Sequence, residues 1–156
     1  MLELKKGLIG TFLFLLASAA LASPTYSFQV VAKDQQVLLN FPLNEQESWC
    51  LVWNHSVAGF VVEDCFSVVA GQWILNSSHQ PDFAAGLGHT LGRGKQLSDG
   101  AGGYLIEGMA VEISGNQMVL RVGSLAVNHR FDYRQTTISL SELAAGQRVT
   151  LKLLRN

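Results

Sequence analysis

The chain has 156 residues, 11 Lys and Arg against 12 Asp and Glu, a formal net charge of −1 and 48% hydrophobic residues. A nucleic-acid binder needs a basic face, and the basic residues here are few and scattered, which argues against that class. The length suits one domain built around a single core.

The first 22 residues run from Lys5 and Lys6 through an uncharged apolar stretch, Gly7 to Leu21, to Ala20-Leu21-Ala22, with Ser23-Pro24 behind it. This is the layout of a secretory signal peptide: a basic start, an apolar segment and a small-residue cleavage site. A spanning helix wants about 20 apolar residues, and this run is shorter. The expectation is therefore a cleaved leader at residues 1–22 and a mature single domain at residues 23–156, exported to the periplasm, or secreted if the host has no outer membrane. No cysteine follows the cleavage site to carry a lipid, and no later apolar run approaches bilayer length, so the mature form is expected not to span a membrane.

Beyond Ser27 the apolar residues alternate in short runs of β type. Residues 28–31, 37–39, 50–53, 61–69, 73–75, 109–113, 118–122, 131–133, 136–140 and 149–154 all read as strands. Ala58-Gly59, Ala70-Gly71, Ser114-Gly115-Asn116 and Ala144-Ala145-Gly146 punctuate them. Ser114-Gly115-Asn116, set between two alternating runs, gives the clearest hairpin signal. Only Ser141 to Ala145 has a helical look, enough for one turn. The pattern predicts an all-β domain, an antiparallel β-sandwich or a small barrel.

Cys50 and Cys65 are the two cysteines, and in an oxidising compartment they form a disulfide if the fold brings them together. With Ala58-Gly59 as a two-residue turn, Cys65 would face Val52 and Cys50 would sit on a diagonal, too far for a bond. A one-residue shift of the turn places them opposite each other. The other reading is two buried free thiols.

Residues 77–103 have little periodic hydrophobicity, and most of the chain's 15 glycines fall between Gly86 and Gly123. A loop of that length is a place to look for a site, or is an insertion without one. The stretch Gly86-Leu87-Gly88-His89 to Gly94-Lys95-Gln96 is no phosphate loop. His89 stands where the first glycine belongs and Gln96 where the hydroxyl belongs, and no strand-turn-helix context supports a dinucleotide fingerprint. His55, His79, His89 and His129 show no close metal-ligand spacing, and no Gly-x-Ser-x-Gly elbow is present. Glu63 and Asp64 would point to opposite faces of a strand, unsuited to paired carboxylate chemistry. No catalytic residue, metal ligand or cofactor is assigned. The segment Trp53-Asn54-His55-Ser56-Val57 ends a strand with polar groups at the sheet rim, where they cap the turn or meet a ligand.

Trp53-Asn54-His55-Ser56-Val57, Glu63, Ala85-Gly86-Leu87-Gly88 and Leu120-Arg121-Val122 together resemble the bacterial family called domain of unknown function 1850, over roughly Trp49 to Leu154. That family's pattern is aromatic-x-His-Ser-Val-Glu, a Glu early in the next strand, and Gly-Ala-Gly. This chain departs from it at Ala58, where the first Glu is expected, and at Ala84, where the first Gly is expected. The family has no established activity, and its genes tend to lie beside those of TAXI-type tripartite ATP-independent periplasmic (TRAP) transporters.

The resemblance implies an exported, non-enzymatic accessory or binding domain with a TRAP permease or a TAXI-type solute-binding protein as its partner. Trp53, His55, Ser56, Glu63, Gly86, Gly88 and His89 are the binding candidates. One alternative is a periplasmic hydrolase or metal-dependent enzyme using the histidines, with His55, Glu63 and His89 converging. A second is an envelope structural or adhesion module with an exposed strand edge.

Overall fold

The computed structural model describes residues 25–57, 59–80 and 94–156. Residues 1–22, where a leader is expected, and Ala58, Gly86, Gly88 and His89 lie outside the described residues. What is described is a sandwich of two antiparallel sheets with one short helix and no closed barrel.

The strands, in chain order, are β1 (Tyr26–Ala32), β2 (Val37–Leu43), β3 (Ser48–Asn54), β4 (Val61–Val69), β5 (Gln72–Gln80), β6 (Lys95–Ser98), β7 (Tyr104–Glu107), β8 (Val111–Glu112), β9 (Gln117–Arg121), β10 (Arg130–Tyr133), β11 (Thr136–Ser139) and β12 (Arg148–Arg155). The helix α1 (Leu140–Ala144) follows β11, capped by the Ser139 side chain, which accepts the Glu142 N–H. The small sheet has the order β2-β1-β12-β9; the large one runs β11-β10-β3-β4-β5-β7-β6, with β8 also paired to β5. The outermost strands are short, as in β6 and β11, or carry a proline, as β2 does at Pro42. These features discourage edge-to-edge association.

Alternation explains which residues face inward. Phe28 and Val30 of β1, Phe41 and Leu43 of β2 and Val149, Leu151 and Leu153 of β12 meet Trp49 and Leu51 of β3, Phe66 and Val68 of β4, Trp73 of β5 and Phe131 of β10. Phe28 is at the centre, its ring 5.0–5.4 Å from those of Phe41, Trp49, Trp73 and Phe131.

Three local expectations change. Ser114-Gly115-Asn116 is not a hairpin turn: β8 before it pairs with β5, and β9 after it pairs with β12. The turn instead carries the chain from the large sheet to the small one. It is tied to the β4–β5 turn, where the Trp73 N–H donates to Asn116 Oδ1 at 2.8 Å and Asn116 Nδ2 donates to the Gly71 carbonyl at 2.9 Å. Second, residues 77–103 are not one loop, since Ser77 to Gln80 complete β5 while β6 and β7 form a hairpin of their own. Third, the β3–β4 connection is longer than two residues. His55 N–H donates to the Phe60 carbonyl and Gly59 N–H to the His55 carbonyl, and that longer turn sets Cys50 directly opposite Cys65 and Val52 opposite Glu63. Cys50 and Cys65 are disulfide-bonded, their Cα atoms 4.1 Å apart.

At the opposite end of β3, the turn between β10 and β11 is closed by Arg134 and Gln135, both at positive φ (45° and 64°) without a glycine. Glu47 holds this turn. Its carboxylate receives Arg134 Nε, and Arg134 Nη2 at 2.9 Å, and Tyr133 donates its hydroxyl to it at 3.0 Å beside the Pro42 carbonyl. Burial pushes the Glu47 carboxyl up, but the hydrogen bonds from Arg134, the Asn44 backbone and Tyr133 outweigh it and hold the group below the ordinary glutamate value of 4.5. Burial, and next its bond to Glu47, raises Tyr133 to about 12. A carboxylate with a depressed folded pKa stabilises the fold above its unfolded pKa and loses that contribution as pH falls through the folded one. Glu47→Gln should therefore lower the melting temperature at neutral pH, with the gap to wild type closing on acidification below the ordinary carboxylate range. A gap that stays constant with pH would show that the ion pair is not what holds the turn.

Candidate functional site

One end of the large sheet collects the motif residues. β3 ends there at Asn54, β4 begins at Val61, and Gln80 of β5 pairs with Tyr104 of β7, which pairs with Ser98 of β6. Trp53 stacks on the His129 ring at 5.9 Å and His55 on Phe60 at 4.9 Å. Ser56 is exposed, and Val57, at the hairpin tip, is 89% exposed.

A second loop backs the hairpin. The Asn54 N–H donates to the Val127 carbonyl at 2.7 Å and its side-chain amide to the Ala126 carbonyl at 3.0 Å. His129 anchors this loop: its Nδ1 accepts the Gly123 N–H at 2.9 Å and its own N–H donates to Ser141 Oγ at 2.9 Å. Burial lowers the His129 pKa, which favours the neutral ring whose Nδ1 accepts the Gly123 N–H. Gly123 is needed for close approach, since a Cβ there would lie 2.5 Å from Val127 Cβ. The loop presents Leu125, 67% exposed.

Along β3 and β4 the two faces carry different chemistry. Glu63 lies on the outer face with Cys50 and Cys65. Both sulfurs and one Glu63 carboxylate oxygen lie within 4.8 Å of one another, and all three residues are half-buried. His79 is opposite Glu63 across the β4–β5 ladder, its Nε2 3.0 Å from Asp99 Oδ2. The Asp99 carboxylate accepts the N–H groups of Ala101 and Gly103, both at 2.8 Å. The Ala101 bond, and then His79, hold it below its ordinary pKa. His55 falls in the inner-face alternation, with Trp53, and Glu63 in the outer one. His89 lies outside the described residues.

The inner face holds a group that the sequence did not single out. Tyr104 donates its hydroxyl to Gln80 Oε1 at 3.0 Å, Gln80 Nε2 donates to Ser78 Oγ at 3.3 Å, and Ser78 is hydrogen-bonded to Asp64. Ser78, Gln80 and Tyr104 are buried. Burial raises the Asp64 pKa, the Ser78 bond opposes it, and the Glu63 charge adds to the rise. Their positions, 64, 78, 80 and 104, show no pattern until the β4–β5–β7 register aligns them. The ionised Asp64 therefore costs stability above the ordinary aspartate value of 3.8. Asp64→Asn should raise the melting temperature at neutral pH, with the gain vanishing in acid; a loss at neutral pH would mean that the carboxylate is needed to hold the network.

A separate open concavity of about 810 Å³ is lined by Lys33, Asp34, Gln36, Val37, Leu143 and Gln147 among others. It contains no histidine and none of the motif residues. No helix among the described residues is long and apolar enough to cross a membrane.

The sequence profile of the family described as Domain of unknown function (DUF1850) matches residues 50–140. No curated protein and no solved structure matches the chain.

Proposed function

The chain belongs to the domain of unknown function 1850 family, and from that premise we propose that it is an exported, non-enzymatic binding or accessory module acting on a TAXI-type TRAP permease or its solute-binding protein. The observation that carries this reading is the hairpin tip. Val57 stands 89% exposed next to Ser56 and His55, at the end of a β3–β4 hairpin that a disulfide holds in one register. Leu125, 67% exposed, sits on the loop hydrogen-bonded to that hairpin. Apolar side chains raised on a preorganised support are suited to docking, because little conformational freedom is lost on binding.

The chemistry of the site favours binding over turnover. The two sulfurs are bonded to each other and are not nucleophiles. The charge and hydropathy order of residues 1–22 supports export, and an oxidising compartment is where such a disulfide persists.

The test is to purify the full chain, tagged at its C-terminus, from host periplasm and solubilised membranes and to identify co-purifying proteins by mass spectrometry. Recovery of a TRAP permease or its solute-binding protein supports the proposal. Recovery of neither, from a host that expresses both, overturns it.

A further inference from the structure

The outer face of the large sheet joins sulfur, carboxylate and imidazole groups away from the hairpin tip. Cys50 and Cys65 face each other across β3 and β4, and Glu63, two residues from Cys65, projects on the same face. As a disulfide, the sulfurs offer no thiolate to a metal. Once reduced, they place two thiolates beside a carboxylate, in a set whose ligand atoms already lie within 4.8 Å of one another. A tetrahedral zinc site, with bonds of about 2.0–2.3 Å, needs donors about 3.3–3.8 Å apart, so small side-chain rotations close it. Mixed thiolate and oxygen donors suit Zn²⁺.

The candidate for a fourth donor is on the neighbouring strand, outside the three-residue set whose ligand atoms lie within 4.8 Å of one another. His79 is directly opposite Glu63 and partly exposed, and its Nε2 bonds Asp99 Oδ2 at 3.0 Å. With Nε2–H given to Asp99, Nδ1 carries the lone pair. A carboxylate that orients an imidazole in this way is the usual support of a metal-bound histidine. Asp99 is itself fixed by the N–H groups of Ala101 and Gly103.

We propose that Cys50, Cys65, Glu63 and His79 form a redox-gated zinc site, closed to metal as the disulfide and opened by reduction. The reductant is a dithiol, the chemical class of the thiol–disulfide oxidoreductases. Its two thiols supply two electrons and two protons, the Cys50–Cys65 bond breaks to give two thiols, and the dithiol leaves as its own disulfide. Zinc then displaces the two thiol protons to solvent, forming two Zn–S bonds.

The experiment reduces the full chain with a phosphine, removes the reductant without air and titrates with Co²⁺ alone, reading thiolate-to-cobalt absorption in the near ultraviolet; Zn²⁺ then competes the cobalt away. One Co²⁺ per chain is expected in the reduced protein and none in the oxidised one, and Zn²⁺ should recover at least half of the melting temperature lost on reduction. Glu63→Gln and Asp99→Asn should each weaken binding about 10–100-fold. Thiols in an unfolded chain would bind without regard to Glu63 or Asp99, so equal affinity in both variants overturns the proposal. Absence of the thiolate band from the reduced protein, or equal binding by the oxidised protein, overturns it as well.

Discussion

Phe28→Ala is expected to be the most damaging single substitution in the chain. The side chain is fully buried, and its ring touches aromatic residues from both sheets: Phe41 in its own, and Trp49, Trp73 and Phe131 in the facing one. Those neighbours belong to four different strands whose backbones are fixed by ladder hydrogen bonds, so they cannot collapse into the space. Truncating a buried Phe costs about 3–5 kcal/mol, a large share of the roughly 5–15 kcal/mol that holds a domain together. The melting temperature should fall by on the order of 10–20 °C. Phe60→Ala is the comparison, because Phe60 is only half-buried and stacks on His55 at the hairpin end; its cost should stay near 1 kcal/mol. Similar losses for the two variants would mean that the aromatic cluster does not join the sheets in the way described.

The second large effect is loss of the disulfide. Cys50 and Cys65 are separated by 15 positions, and closing a loop of that length restricts the unfolded chain by about 3 kcal/mol. Cys50→Ala combined with Cys65→Ala should lower stability by about that amount, a fall of roughly 10 °C, while leaving the fold in place, because the core lies on the other face of β3 and β4. Denaturant titration in the presence and absence of a reductant measures the same quantity in the wild-type protein. A loss below about 1 kcal/mol would show that the β3–β4 ladder already restricts the unfolded chain.

The strands legible in the sequence are those whose apolar residues alternate against one core. Phe28 and Val30, Trp49 and Leu51, and Val149 and Leu151 mark their own faces. β6 and β7 are not legible in the sequence because each has four residues and the surrounding glycines dilute the pattern. Ser114-Gly115-Asn116 departs from the hairpin expectation for a different reason: a turn signal tells where the chain bends but not which sheet it enters. Register was the remaining unknown. The hairpin turn proved longer than Ala58-Gly59, and that difference alone decides whether Cys50 meets Cys65 or lies diagonal to it.

For the candidate site, placing Trp53, His55 and Ser56 at a sheet rim followed from strand length, and Glu63 on a different face from Asp64 followed from alternation. The His79–Asp99 pair and the Asp64, Ser78, Gln80 and Tyr104 network could not be read this way. Their members are far apart in the chain, and only the pairings of β4, β5 and β7 bring them into contact.

The most direct test of the docking account puts a photo-crosslinking residue at position 57, at 125 or at 119 of the full chain in its host. Val119 supplies the contrast: it is 63% exposed but lies on β9 of the small sheet. The account predicts crosslinks to a TRAP permease or its solute-binding protein from positions 57 and 125 and none from 119. Crosslinks to that partner from 119 alone, or none from any of the three in a host expressing the transporter, would contradict it.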